Sequence, residues 1–162
     1  ADKRVSHFEY ALHRMLVRNL DGFFAGKKTT HRVYRSFGPM ENEILLLLSA
    51  LAWTGNQSPE EAGKAFLHGL AHLGIQKEFT IAEKGRCSFQ ALDRALGTLA
   101  EAAPALKKKL LMACVACVSH DQWLSLDEFE LLRAVADSMD LPIPPVSPGS
   151  LAQSLQSNVT AL

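Results

Sequence analysis

The sequence lacks the features that define several classes of protein. Its 162 residues carry no net charge, because 17 Lys and Arg balance 17 Asp and Glu, so no overall field attracts nucleic acid or an anionic membrane. No apolar run reaches the roughly 18 residues that span a bilayer, and the longest, Ile44 to Trp53, is interrupted by Ser49 and predicts a buried helix. The N-terminus, ADKRVSHFEY, is charged and amphipathic, unlike a signal peptide. We therefore expect no nucleic-acid partner and no membrane span.

The sequence contains only three cysteines, an odd number. Cys87, Cys114 and Cys117 show no disulfide spacing, which favours a reducing compartment. Cys114 and Cys117 form a C-x-x-C pair, but a redox pair needs its first thiol at a helix N-terminus. Both thiols instead fall in the middle of an apolar helical stretch. We predict that they are buried as small apolar side chains.

The apolar residues repeat with a helical period along most of the chain, and no strand alternation is present. An amphipathic helix is predicted over residues 5–23 and an almost wholly apolar one over residues 41–54. Serine or proline start signals predict four more, which begin after Ser58, after Ser88, at Pro104 and near Leu126. Residues 75–87 are weakly patterned and predict a loop with one helical turn.

These elements predict an all-α protein, a compact bundle of six or seven helices. We expect a single helical domain over residues 1–146. The Ser/Gln-rich residues 147–162 have no apolar stripe and predict a mobile tail. A shift of about 67 residues places one helix-loop-helix over another, with Ser58 on Ser125 and Glu61 on Glu128. Ser58 and Glu61 have the spacing of a helix capping box. Either the bundle consists of two related helix-loop-helix halves, or the match is a chance similarity between two helical hairpins.

One pair of histidines has the spacing of a zinc-binding helix. His68 and His72 stand four apart in HGLAH, as in the H-E-x-x-H motif. Gly69 occupies the place of the glutamate, so the general base of that mechanism is absent. Two histidines alone leave a zinc site short of ligands. We predict an exposed polar helix face here.

The most concentrated set of carboxylates lies in SHDQWLSLDEFELL, residues 119–132. A calcium loop of the EF-hand type is excluded, because Leu124 and Leu126 stand where ligands are needed and the loop has no glycine. Two interpretations remain. Ser125 and Glu128 have the spacing of a helix capping box, or a divalent cation binds here. The candidate metal ligands are its four carboxylates, Asp121 and Glu128 first and Asp127 or Glu130 assisting.

This region, ACVACVSHDQWLSLDEFELLRAVADSMDLPIPP, resembles TerB-like domains, named for tellurite-resistance proteins. An apolar helix is followed by an acidic loop, then by a helix with a Leu-Leu-Arg run and a proline stop. Asp121 and Glu128 fall on the acidic residues of the family pattern, while Gln122 stands where that pattern has glycine. The resemblance implies a compact helical fold.

The order of elements over about residues 5–146 is similar to the C-terminal extension of bacterial membrane-bound zinc metallopeptidases of the HtpX-like kind. This resemblance, and a start at Ala1 rather than Met, lead us to expect an excised accessory domain. It implies a non-catalytic module that regulates the protease domain or recruits substrate, and whose partner is a protein. The module would need no cofactor and would lie in the cytoplasm at the inner-membrane face, where only the parent protein enters the membrane. The alternative is an ion-binding or stress-sensing domain with a divalent cation in the acidic loop.

Overall fold

The structure is a computed structural model that describes residue 17, residues 33–141 and residue 143. Its described part contains five α-helices: α1 (Glu41–Gly55), α2 (Pro59–Ala71), α3 (Phe89–Leu99), α4 (Pro104–Val118) and α5 (Leu126–Ser138). Two 3₁₀ turns complete it, Gly38–Met40 and Lys84–Arg86. Between residues 33 and 143 there is no strand beyond a single backbone bridge, from Tyr34 to Ala102.

The all-α prediction is confirmed, but six or seven helices is too many for the part of the chain that the structure describes. Of the helix predicted over residues 5–23 only residue 17 is described, and it is helical. The tail predicted over residues 147–162 and the domain boundary at residue 146 lie outside the described residues. Residues 75–87 hold one three-residue 3₁₀ turn, too short to count as a further helix.

Serine side chains start three of the helices as predicted. Ser58, Ser88 and Ser125 each accept a hydrogen bond from the backbone N–H three residues later, which satisfies one of the N–H groups that a helix start leaves without a partner. Only Ser125 also donates its backbone N–H to the glutamate three residues later, which completes a capping box. At the other predicted box, the Glu61 carboxylate accepts from Lys64 Nζ at 2.8 Å instead.

Helix α1 is the centre of the bundle. It packs against all four other helices, so nearly every side is buried, as the apolar composition of Ile44 to Trp53 predicted. The Ser49 and Trp53 side chains of α1 have hydrogen-bond partners in the long loop between α2 and α3. The Ser49 hydroxyl accepts from Ala82 N at 2.9 Å, and Trp53 Nε1 donates to Ala82 O at 2.8 Å. These two bonds hold a loop with little apolar pattern of its own.

Helices α2 and α4 meet at HGLAH. Gly69 faces α4 so closely that a Cβ there would lie 2.8 Å from Cys117 Cβ and 2.9 Å from the Ala113 carbonyl oxygen. His68 Nδ1 lies 2.9 Å from Ala116 O and therefore donates to it, satisfying a carbonyl near the end of α4. His68 and His72 are exposed, as predicted. The motif joins two helices, a role that its spacing did not predict.

The buried-thiol prediction is confirmed. Cys114 and Cys117 are 0% and 1% exposed on the inner face of α4, and Cys117 Sγ lies 3.6 Å from Leu48 O in α1. Burial raises the pKa of both thiols well above the ordinary value, so neither forms a reactive thiolate.

Candidate functional site on the loop between α4 and α5

The candidate site is the acidic loop between α4 and α5, residues 119–125, with the first turn of α5. The loop opens with a tight turn in which Gln122 N donates to Ser119 O at 3.1 Å. Gln122 has a φ of 64°, in the left-handed region that favours glycine. Asp121 Oδ1 then accepts from Trp123 N at 3.0 Å. The loop is thus held by its own hydrogen bonds before it enters the helix.

Glu128 fixes the end of the loop from inside the protein. It is 4% exposed, and its Oε2 accepts from Ser125 N at 2.8 Å and from Ser125 Oγ at 2.7 Å. Burial raises the pKa of the Glu128 carboxyl, the Ser125 hydrogen bonds oppose that rise, and the charge of Asp121 adds to it. Helix α1 leaves room for this carboxylate because its last residue is Gly55, where a Cβ would collide with Glu128 Oε1.

The four predicted metal ligands have different environments. Glu128 is in the capping box, Asp121 holds the loop turn, Asp127 is exposed, and Glu130 Oε1 lies 3.9 Å from Arg133 Nη1. Across the described residues, no three His, Cys, Asp or Glu side chains are arranged so that they are able to hold a metal ion. The capping-box interpretation is confirmed for Ser125 and Glu128, and the metal site stays a prediction.

His120 is a buried neighbour that the sequence reasoning missed. Its side chain is 9% exposed, and its Nε2 lies 3.8 Å from Glu61 Oε2. Neither ring nitrogen has a hydrogen-bond partner among the residues that the structure describes. His120 also lies close enough to Glu128 for its charge to lower the pKa of that carboxyl. This histidine brings the start of α2 and the start of α5 into one polar cluster, a juxtaposition that no local pattern signals.

The outer side of the loop carries two large apolar side chains. Trp123 is 75% exposed and Leu126 is 70% exposed, and we call them together the Trp123–Leu126 surface. Their neighbours Leu124 and Phe129 point inwards and pack with the core, at the spacing of a hydrophobic staple around the Ser125 cap. The loop therefore separates its apolar residues into an inner and an outer pair. Sequence reasoning missed the outer pair, although Leu126 stands apart from the inward-facing leucines of α5.

Comparison with known proteins identifies no relative: no protein-family model, no curated protein and no solved structure matches this chain. The class that the fold and site define is accordingly a broad one, an all-α helical bundle with a capped acidic loop. Among the described helices, none is long and apolar enough to cross a bilayer. The TerB-like and metallopeptidase resemblances stay predictions.

Proposed function

We propose that this domain is a non-catalytic interaction module that binds a protein partner through the Trp123–Leu126 surface. The observation that carries the proposal is the exposure of both side chains on a loop whose backbone is held by the Asp121 turn and the Glu128 capping box. A loop held in this way loses little conformational entropy when a partner binds.

The size of the exposed side chains supports a role in binding. A tryptophan buries about 200 Å² when it is covered, which at about 25 cal/mol per Å² gives roughly 4 kcal/mol for the exposed part of Trp123, before the costs of association. Tryptophan is also the residue most enriched among those that dominate binding energy at interfaces. Isolated exposed leucines are ordinary, but a Trp and a Leu three positions apart on one ordered loop form a candidate anchor.

The resemblance to metallopeptidase extensions suggests who the partner is. We propose the protease domain of a parent bacterial membrane zinc metallopeptidase, or a substrate that this domain recruits to it. The domain would then act in the cytoplasm at the inner-membrane face and would regulate an activity that belongs to another part of the parent protein. These statements rest on the order of sequence elements over about residues 5–146.

Site-specific photo-crosslinking tests the proposal. A photoreactive phenylalanine replaces Trp123 in the full chain, expressed in the source organism, and the control carries it at Leu67, which is 57% exposed on α2. We expect a discrete protein adduct from position 123 that is absent from position 67. Leu126→Ser should remove the adduct while Leu67→Ser retains it. Equal adducts from both positions, or none from position 123, would contradict the proposal.

A second candidate function is ion binding at the acidic loop. Two observations favour it: Asp121 and Asp127 are exposed carboxylates, and the buried His120 has no partner for its ring nitrogens among the described residues. Calorimetric titration with Ca²⁺, Mg²⁺, Mn²⁺ and Zn²⁺ tests it. Asp121→Asn, which retains the turn to Trp123, should weaken binding and lower the Tm measured with metal. Unchanged affinity and Tm would remove this candidate.

A further inference from the structure

We propose that the partner segment recognised by the Trp123–Leu126 surface is a cationic amphipathic helix, with Lys or Arg beside the apolar side chains that it inserts. The inference rests on the proposed function and specifies its partner. It is argued from the charges that surround the surface, from the chemistry of an exposed indole ring and from the order of the loop.

The surface lies in an acidic frame. From Leu110 to Leu132 the sequence contains no Lys or Arg. Of its four carboxylates, Glu128 is buried in the capping box and Glu130 lies 3.9 Å from Arg133, so the frame consists of the other two. Asp121 and Asp127 are exposed, and they stand two positions before Trp123 and one position after Leu126 in the sequence. A partner with basic residues is therefore attracted to this side and oriented on it, whereas an acidic partner is repelled.

The exposed indole favours the same partner. Tryptophan is the best aromatic platform for a Lys or Arg side chain, because the face of its ring is electron-rich. The protein uses such contacts elsewhere, with Lys77 Nζ 5.2 Å from the centre of the Phe79 ring and Lys109 Nζ 5.9 Å from that of Phe37. Trp123 has no cation over its ring within the described part of the chain. A partner cation there would also lie beside the carboxylate of Asp121, which holds the Trp123 backbone.

An amphipathic helix is the kind of partner that offers apolar and basic side chains together. Trp123 lies in the loop two residues before the Ser125 cap, and Leu126 is the first residue of α5, so both project from a backbone held by hydrogen bonds. An amphipathic helix offers apolar side chains at every third or fourth position, with charged residues at the borders of the stripe. That arrangement places apolar side chains on Trp123 and Leu126 and basic ones near Asp121 and Asp127. Helix-in-groove recognition uses the same division of roles.

Tryptophan fluorescence of the full chain tests the partner chemistry. Trp53 is the second tryptophan and is half-buried, so Trp53→Phe leaves Trp123 as the single reporter, with circular dichroism used to verify the fold. The probes are two synthetic amphipathic helices without tryptophan, one of Leu and Lys and the other of Leu and Glu. We expect the Leu/Lys helix to shift Trp123 emission to shorter wavelength and to bind more weakly as salt is added. The Leu/Glu helix should produce no shift.

Charge-neutral variants distinguish the contribution of the acidic side chains to peptide binding from that of Trp123 and Leu126. Asp121→Asn retains an oxygen that accepts from Trp123 N, so the pair Asp121→Asn and Asp127→Asn removes two charges while the turn is kept. We expect this pair of substitutions to weaken binding of the Leu/Lys helix roughly fivefold and to make that binding less dependent on salt. Leu126→Ser should abolish the emission shift, and Leu67→Ser, on α2, should leave it unchanged.

The inference would be overturned if the two helices bound equally or if the Asn pair had no effect. It would also be overturned if Trp123 of the monomeric chain already emitted at short wavelength without peptide, or if analytical ultracentrifugation showed self-association that buries Trp123. A crosslinked partner at position 123 whose contacting segment is acidic would also overturn it, but would leave the proposed function standing. Absence of any adduct at position 123, together with a clear shift by the Leu/Lys helix, would instead count against the proposed function alone.

Discussion

Gly55, the last residue of α1, lies so close to Glu128 that a side chain at position 55 would collide with the Glu128 carboxylate. Glu128 is at that place because it accepts two hydrogen bonds from Ser125 at the start of α5. The end of one helix and the capping box of another are therefore built around a single carboxylate. The candidate site depends on this contact, because the Ser125 cap carries the loop that presents Trp123.

Gly55→Ala should destabilise the protein although alanine is the better helix former by about 1 kcal/mol. The new Cβ displaces the Glu128 carboxylate. This costs a cap worth about 1 kcal/mol and leaves a buried carboxyl group without its two hydrogen bonds, a further loss of about 1–3 kcal/mol. The free energy of unfolding from urea titration measures this. In a Glu128→Ala background the collision is gone, and Gly55→Ala should be neutral or stabilising. The same loss in both backgrounds would show that the two residues are not coupled.

Glu128→Gln should flatten the pH dependence of stability. Burial raises the pKa of the Glu128 carboxyl in the folded protein, so the folded state binds this proton more tightly than the unfolded state. The stabilisation is complete at acidic pH and is lost as pH rises through the folded-state pKa. Glutamine keeps the capping geometry but does not titrate. Wild-type stability should therefore fall relative to Glu128→Gln from acidic to neutral pH, and parallel curves would contradict the prediction.

Gln122→Gly should stabilise the protein by up to about 1 kcal/mol. Gln122 has a φ of 64°, which costs a residue with a side chain roughly 1–2 kcal/mol, and glycine removes that strain at some cost in unfolded-state entropy. The matched control is Gln57→Gly in the α1–α2 loop, where φ is not positive and only the entropic cost remains. Thermal unfolding of both variants measures the difference. A loss of stability in both variants would contradict the prediction that the backbone of Gln122 is strained.

Gly69→Ala should destabilise the protein by about 1–3 kcal/mol, the usual cost of overpacking. The added Cβ lies too close to Cys117 Cβ and to the backbone oxygen of Ala113, and a backbone atom moves only if α4 moves. Gly63 is the control in the same helix, because a Cβ there meets nothing within 4 Å among the described atoms. Gly63→Ala should therefore stabilise by up to about 1 kcal/mol. In urea titrations, the free energy of unfolding should fall for Gly69→Ala and rise for Gly63→Ala.

The predictions from local signals agree with the structure where the cause is itself local. Serine at positions 58, 88 and 125 starts a helix in each case, because the capping bond spans only three residues. The same argument was wrong in detail at Glu61, whose carboxylate bonds to Lys64 rather than to its own helix start. The lengths of α1 and α4, 15 residues each, and of α2 and α5, 13 residues each, match the suggested repeat. Their loops differ, residues 56–58 and residues 119–125.

Contacts between distant parts of the chain were not predictable in this way. HGLAH has the spacing of a metal motif, yet its glycine is where α2 approaches α4 and its first histidine donates to Ala116 O. The partners are 44 to 48 residues away in the sequence, and no pattern within α2 identifies them. His120 and Glu61 were likewise assigned to separate segments, although they lie 3.8 Å apart.

The sequence by itself determined the helical class, most helix boundaries, the buried thiols and the Ser125–Glu128 cap, since hydrophobic period and capping act over a few residues. Only the tertiary structure decided that Glu128 is buried against Gly55 and that Trp123 and Leu126 remain outside. The reason is physical: burial depends on which surfaces meet, and Leu124, Leu126 and Phe129 are equally apolar in the sequence. Their separation into inner and outer residues follows from the packing of α1 and α5 around the capped loop.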